Sequence, residues 1–400
     1  MKKVVFPNGL KVIYEKRNSA SVVIQVMIKV GSNHEKSNEK GFAHFLEHIL
    51  FEGTVKRPSN LEITNEIEKI GGIFNAYTTN ERTCFYIKVL KKDFPKAVEI
   101  LADILHNSLF KEESIQKEKK IIIKEIEMVD EEPKLHQWVI LQKNLFNNHP
   151  TGNPTYGDKK IIKSLRRENL ISFFDKYYIA NNLVISIIGN ITGWKKEIIN
   201  NFQLKKGKLY RLDNDAGKLP KSKIIKIKKS NLTNTYLVIG FKTVSRKNPG
   251  SYIIEVVNAI LGRGQSGKIF TQIRSKRGLA YDIGTQHISE GGFGYFAVYA
   301  TIDKKNVFLV KNLILEEIEK LKSISELELE EAKNFIQGDF ILSLEDPQKL
   351  ADQLLLWEQA KNAELMNYFL KKIKKVSKED ISRVINRYFK NNVMVILQKR

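Results

Sequence analysis

The sequence predicts an α+β protein of two similar halves, each a mainly antiparallel sheet backed by helices. Three observations carry this expectation. Strand-like segments alternate with long amphipathic helical patterns in both halves of the 400-residue chain. The order Gly-Gly, strand, basic turn, amphipathic helix occurs twice, at 71–105 and 291–321. Each copy is followed by a Glu-rich helical segment, at 113–127 and 326–340, and a shared order of this kind points to a duplicated unit.

The elements follow in turn. The first residues read as a strand, a turn at Pro7-Asn8-Gly9 and a second strand. The run VVIQVMIKV (22–30) is a strand by its β-branched content, and GFAHFLEHILFEGT (41–54) is a helix. LEITNEIEKIGG (61–72) is helical and stops at Gly71-Gly72, and 73–90 reads as two strands around Asn80-Glu81. Amphipathic patterns cover 94–107 and 112 to about 128. LVISIIGNI (183–191) is a buried strand by its apolar run. The polar stretch 205–222, with Gly207, Gly217 and Pro220, reads as a linker. The expected domains are therefore 1–204 and 223–400.

Composition excludes several classes. The chain is 42% hydrophobic and 28% charged, ordinary for a globular protein. No apolar run is long enough to span a bilayer, and the first residues lack the apolar stretch of a secretion signal. No membrane partner is expected. A single cysteine, Cys84, rules out an internal disulfide and fits a reducing compartment, so a cytoplasmic location is expected. The net charge is +22, and residues 203–230 alone hold ten basic and two acidic side chains. Such a balance suits nucleic acid. No basic helix, RNP-type aromatic pattern or Cys/His finger accompanies it, so solvated lysines are the favoured reading and no nucleic-acid partner is expected. GRGQSGKI (262–269) has the spacing of a phosphate loop but places Ile269 where Ser or Thr is required, and it follows a helix-like segment rather than a strand.

The chemistry concentrates in 41–54. His44 and His48 are four apart, one helical turn above each other, so two imidazoles can converge on one ion. Glu47 lies beside them, where its carboxylate reaches a water held by that ion. The order His-x-x-Glu-His is the inverted form of the commoner zinc-peptidase motif. A catalytic zinc takes three protein ligands and leaves a fourth position open, so a further Glu or Asp must come from elsewhere. The helix 112–128 offers Glu125, with Glu118 two turns earlier on the same face. Glu112, Glu113, Glu127, Asp130, Glu131 and Glu132 crowd the same stretch, and spacing alone does not choose among them.

The chain resembles the pitrilysin/insulinase family of zinc metallopeptidases, which includes the mitochondrial processing peptidases. That family places a Glu about 76 residues after its inverted motif, and 76 residues separate His48 from Glu125. The resemblance implies that His44, His48 and Glu125 bind one zinc ion per chain, that Glu47 is the general base, and that Glu118 supports the site. GGIFNAYTTNERT (71–83) resembles the family's edge strand that pairs with substrate backbone, carried here by Asn75 and Ala76. RSKRGLAYDIG (274–284) resembles a segment whose Arg and Tyr, here Arg274 and Tyr281, approach the bound peptide. One departure is clear: GRGQSGKIF has Gly267-Lys268 where the family often has Ser-Arg. The expected function is hydrolysis of peptides or unfolded segments inside a chamber. The expected assembly is a homodimer, or a heterodimer with an inactive relative. The alternatives are a non-catalytic structural subunit of a hetero-oligomer and, on charge alone, a nucleic-acid-binding protein.

Overall fold

The computed structural model describes residues 1–210, 217–230 and 232–400. The first part of the chain forms β1 (Lys2–Val5), β2 (Lys11–Glu15), β3 (Ser21–Ile28), α1 (Phe42–Ile49), α2 (Asn60–Glu68), β4 (Ile73–Thr78), β5 (Thr83–Leu90), α3 (Phe94–His106), α4 (Glu112–Glu131), α5 (Pro133–Leu145), α6 (Lys159–Ser164), α7 (Arg167–Tyr177), β6 (Leu183–Ile188) and α8 (Trp194–Asn201). The second part forms β7 (Lys223–Lys229), β8 (Thr235–Lys242), α9 (Gly250–Gly262), β9 (Ala280–Ser289), β10 (Gly294–Ile302), α10 (Val307–Lys320), α11 (Glu326–Ser343), α12 (Pro347–Ala360), α13 (Phe369–Lys374), α14 (Lys378–Tyr388) and β11 (Val393–Lys399).

Two sheets result, ordered β1-β2-β6-β3-β5-β4 and β7-β11-β8-β10-β9. Without β1 the two orders coincide strand for strand. The pairing sense coincides too: β2–β6 and β7–β11 are parallel, and every other pair is antiparallel. The duplication is therefore real, but its alignment shifts. Gly71-Gly72 precedes β4, whereas Gly291-Gly292 precedes β10, the equivalent of β5. The two Gly-Gly pairs are turns at different places in the repeat, because any tight reversal favours glycine.

Compactness does not follow the expected boundaries 1–204 and 223–400. One unit gathers Met1–Glu127, the described residues of Asn153–Leu212, and Ser343–Glu364; the other gathers Met128–Gly152, the described residues of Asp213–Leu342, and Leu365–Arg400. Of the expected linker 205–222, residues 211–216 lie outside the described residues.

The physical reason is sheet burial. β3 and β6 are buried along nearly their whole lengths, as strands covered on both faces must be. One face carries Val22, Ile24, Val26 and Ile28 into a core shared with α1 and α3. The other face is covered by α12, which packs on β3 and β6. There the Gln25 amide donates to Asp352 at 3.0 Å. In the second unit α5 plays the matching part on β8 and β11, with Leu141, Leu145 and Phe146 packed among Val238 and Val395. A Cβ at Gly240 would stand 2.6 Å from the Leu141 side chain, so Leu141 of α5 packs into the space that glycine leaves open.

Candidate metal centre

Helical period orients the motif. In α1 the residues Phe42, Ala43, Phe45, Leu46 and Ile49 are buried, which leaves His44, Glu47 and His48 together on the opposite, half-buried side. The helix starts at Gly41, whose φ of 99° suits glycine. Its first amides are held by a carboxylate from the preceding loop: Gly41 and Ala43 donate to Glu35 at 2.9 and 2.8 Å. An acid at this point satisfies amides that have no partner within the helix.

Helix α4 lies against this face. It buries Ile115, Glu118, Ile122 and Ile126, and Lys117 bridges to Glu52 at 2.9 Å just past the end of α1. This docking brings Glu125 to the histidines. Its Oε2 is 3.9 Å from His44 Nε2 and 3.7 Å from His48 Nε2. Among the described residues, His44, His48 and Glu125 are the one group of three such side chains whose donor atoms all lie within 4.8 Å of one another. Two ligands on a tetrahedral zinc stand roughly 3.3 Å apart, so Glu125 would close on each imidazole by about half an ångström to share such an ion.

The surrounding hydrogen bonds suit that use. His48 Nδ1 is 2.9 Å from Glu118 Oε2. A carboxylate only accepts, so Nδ1 carries the proton and Nε2 keeps its lone pair toward Glu125. Glu118 is 5% exposed, against 36% for Glu125. His44 Nδ1 is buried and has no partner among the described residues. Burial, and next the neighbouring His48, push the His44 pKa down to about 3, which keeps its ring neutral. Burial also acts to lower His48, but the Glu118 bond and the charges of Glu125, Glu118 and Glu47 outweigh it and the net shift is upward. Burial raises Glu47, opposed by a hydrogen bond from Thr78 and by His48. An acid with a raised pKa is a stronger proton acceptor once ionised.

That Thr78 contact is the closest made by Glu47: Thr78 Oγ1 donates to Glu47 Oε2 at 2.6 Å. Sequence reading missed both Thr78 and Glu35. Thr78 ends β4 and shares a strand face with Phe74 and Ala76, but a hydroxyl at a strand end is no signal in the sequence. Glu35 sits in a polar loop with no periodicity to mark it.

The other expected residues are placed as follows. Asn75 and Ala76 lie in β4, which ends its sheet and so leaves one side unpaired. There Ala76 N donates to Asn75 Oδ1 at 2.8 Å. Arg274 and Tyr281 belong to the second unit. The Arg274 guanidinium is 4.9 Å from the Phe270 ring centroid. Tyr281 is 61% exposed, and its hydroxyl donates to Asp303 at 3.4 Å. Lys268, the apparent phosphate-loop lysine, is paired with Glu328 at 2.5 Å. No helix among the described residues is long and apolar enough to cross a membrane.

Comparison with known proteins agrees with this geometry. Residues 11–159 match the family described as insulinase (peptidase family M16), and residues 164–336 match the peptidase M16 inactive domain. An uncharacterized zinc protease of Rickettsia felis is 34% identical over 349 residues, 84% of this chain and 82% of its own. The uncharacterized zinc protease YmxG of Bacillus subtilis is 31% identical over 351 residues, 86% and 85% of the two chains. Among solved structures, a protease from Helicobacter pylori has the same fold, with a TM-score of 0.92, 22% identity and 99% of both chains covered. A peptidase M16 inactive domain from Pseudomonas fluorescens matches with a TM-score of 0.89 and 21% identity, over 100% of this chain and 98% of its own. Because the two family matches together span most of the sequence, this chain is a member of the insulinase family of peptidases, family M16.

Proposed function

We propose that this chain is a zinc-dependent peptidase that hydrolyses peptides or unfolded segments. One observation carries the reading: two imidazoles from α1 and a carboxylate from α4 bring their donor atoms within 4.8 Å of one another, with a half-buried acid on the same helix turn. The names of the relatives support zinc as the metal.

His44, His48 and Glu125 would hold the ion. Zinc bound there supplies Lewis-acid polarisation of the scissile carbonyl and acidifies a water. Glu47 takes up the proton of the attacking water and gives it to the leaving amine. Glu118 holds His48 in the tautomer that presents Nε2. The open side of β4 around Asn75 and Ala76 accepts an extended peptide as an added strand, which sets its register. Asn75 must then release the Ala76 amide for the peptide to use it. Tyr281 and Arg274, from the second half, anchor the peptide or the oxyanion, as the family resemblance implies. The same resemblance makes the working form a dimer around a chamber, with a second copy or an inactive relative as partner.

The test is metal analysis joined to cleavage of a quenched fluorescent peptide library. About one zinc per chain and chelator-sensitive cleavage are expected. Metal-free protein that cleaves as well as metal-loaded protein would end the proposal.

A further inference from the structure

We infer that Thr78 is a positioning residue for the base: its hydroxyl fixes which oxygen of Glu47 faces the water to be deprotonated. The inference rests on the peptidase reading of this site.

Proton counting carries the argument. Thr78 Oγ1 lies 2.6 Å from Glu47 Oε2 and 3.5 Å from Thr83 Oγ1. The Thr83 hydroxyl already gives its one proton to Val30 O at 2.9 Å, so Thr83 can only accept from Thr78. The far shorter distance assigns the Thr78 proton to Glu47. That bond takes up one lone pair of Oε2 and lowers its basicity, so Oε1 is the better oxygen to receive a proton. A carboxylate otherwise turns about its last torsion between broad, nearly equivalent positions. A single charge-assisted bond from a fixed donor removes that freedom.

Thr78 is itself held firmly. It closes β4 opposite Thr83. The turn beyond it is tied by Thr79 N to Arg82 O at 2.8 Å, and Thr79 Oγ1 accepts from Glu81 and Arg82 amides at 3.2 and 3.1 Å. Ser32 N reaches Thr79 O at 3.2 Å, and a Cβ at Gly31 would stand 2.3 Å from that same oxygen. The loop that leads into α1 therefore clasps the end of β4. Thr78 also shares its strand with Asn75 and Ala76. A peptide paired along β4 and the orientation of the base are thus referred to one rigid element.

The experiment compares Thr78→Val and Thr78→Ser in the zinc-loaded protein, with crystal structures of the zinc-free variants. Valine keeps the shape and removes the donor; serine keeps the donor. In Thr78→Val, kcat should fall about ten- to a hundredfold while KM and zinc content stay at wild-type values. Thr78→Ser should recover to within about threefold of wild type. The Glu47 carboxylate should be rotated in Thr78→Val and native in Thr78→Ser. Wild-type kcat in Thr78→Val, or equal losses in both variants, would overturn the inference, since the second result would assign the effect to disturbed packing at the strand end rather than to the lost donor. If the wild-type protein cleaves no peptide, the peptidase reading fails by itself. The Glu47 orientation in the two crystal structures then still decides whether Thr78 sets it.

Discussion

His48 Nδ1 and Glu118 Oε2 are 2.9 Å apart, joining the motif helix α1 to α4 through a buried carboxylate. The bond sets the imidazole tautomer and its ring orientation, so Glu118 would act on a bound metal without touching it. Glu118→Ala is expected to weaken zinc binding about 10- to 100-fold. Competition against a chromophoric chelator measures this. An unchanged affinity would mean that α1 alone orients His48.

Glu47→Gln removes the base and no ligand. Turnover of a fluorescent peptide should fall below detection while metal analysis still finds about one zinc per chain. Glu125→Gln should show the reverse order of events, with zinc lost first and activity lost because of it. Full zinc occupancy in Glu125→Gln would redirect attention to the other carboxylates of 112–132.

Glu35 predicts a pH dependence of stability. Burial pushes its carboxyl up to about 8, against the opposing pull of the Gly41 and Ala43 amides, with Glu39 adding to the rise and Lys40 reducing it. A folded-state pKa above the unfolded value of 4.5 means that folding favours the protonated acid. The contribution is fully present below the unfolded pKa and is lost as pH rises through about 8. Glu35→Gln has no charge to bury and should lack this loss. Urea midpoints at a mildly acidic and a mildly alkaline pH should therefore converge or cross between wild type and variant. Parallel curves across that range would show that the ionised carboxylate is tolerated.

Glu358 on α12 accepts from Lys3 at 2.7 Å and Lys11 at 3.1 Å, and its side chain is 1% exposed. Removing the acid leaves two lysines facing each other without a counter-charge. Glu358→Ala should cost about 3 kcal/mol in urea unfolding. Lys3→Ala should cost less, because Lys11 still satisfies the carboxylate. Equal effects would indicate that packing of α12, not charge, is what the substitution removes.

Much of the fold and of the site was legible in the sequence, for identifiable reasons. The order of elements could be read from periodicity, because strand and helix each impose their own spacing on apolar residues. His44 and His48 could be paired because four residues on one helix fix their relation locally. Glu125 could not be chosen that way. It is separated from His48 by 76 residues, and only a family resemblance singled it out from its acidic neighbours. Thr78 carried no chemical signal of its own, since a hydroxyl at a strand end is ordinary until the strand is seen beside α1.

The sequence by itself determined the local geometry: which segments are helical, which face of α1 carries the imidazoles, and that the His-x-x-Glu-His motif lies in the first half of the duplicated chain. The tertiary structure alone decided what stands opposite those residues. It brought α4 onto α1 so that Glu125 and Glu118 meet the histidines from outside. It also sent α12 to cover β3 and β6, and α5 to cover β8 and β11. The apolar runs of those strands announce that both faces are buried, but burial is non-directional. Nothing in an apolar surface names the segment that will cover it, and the contiguous domains expected from chain order gave way to interleaved ones for that reason.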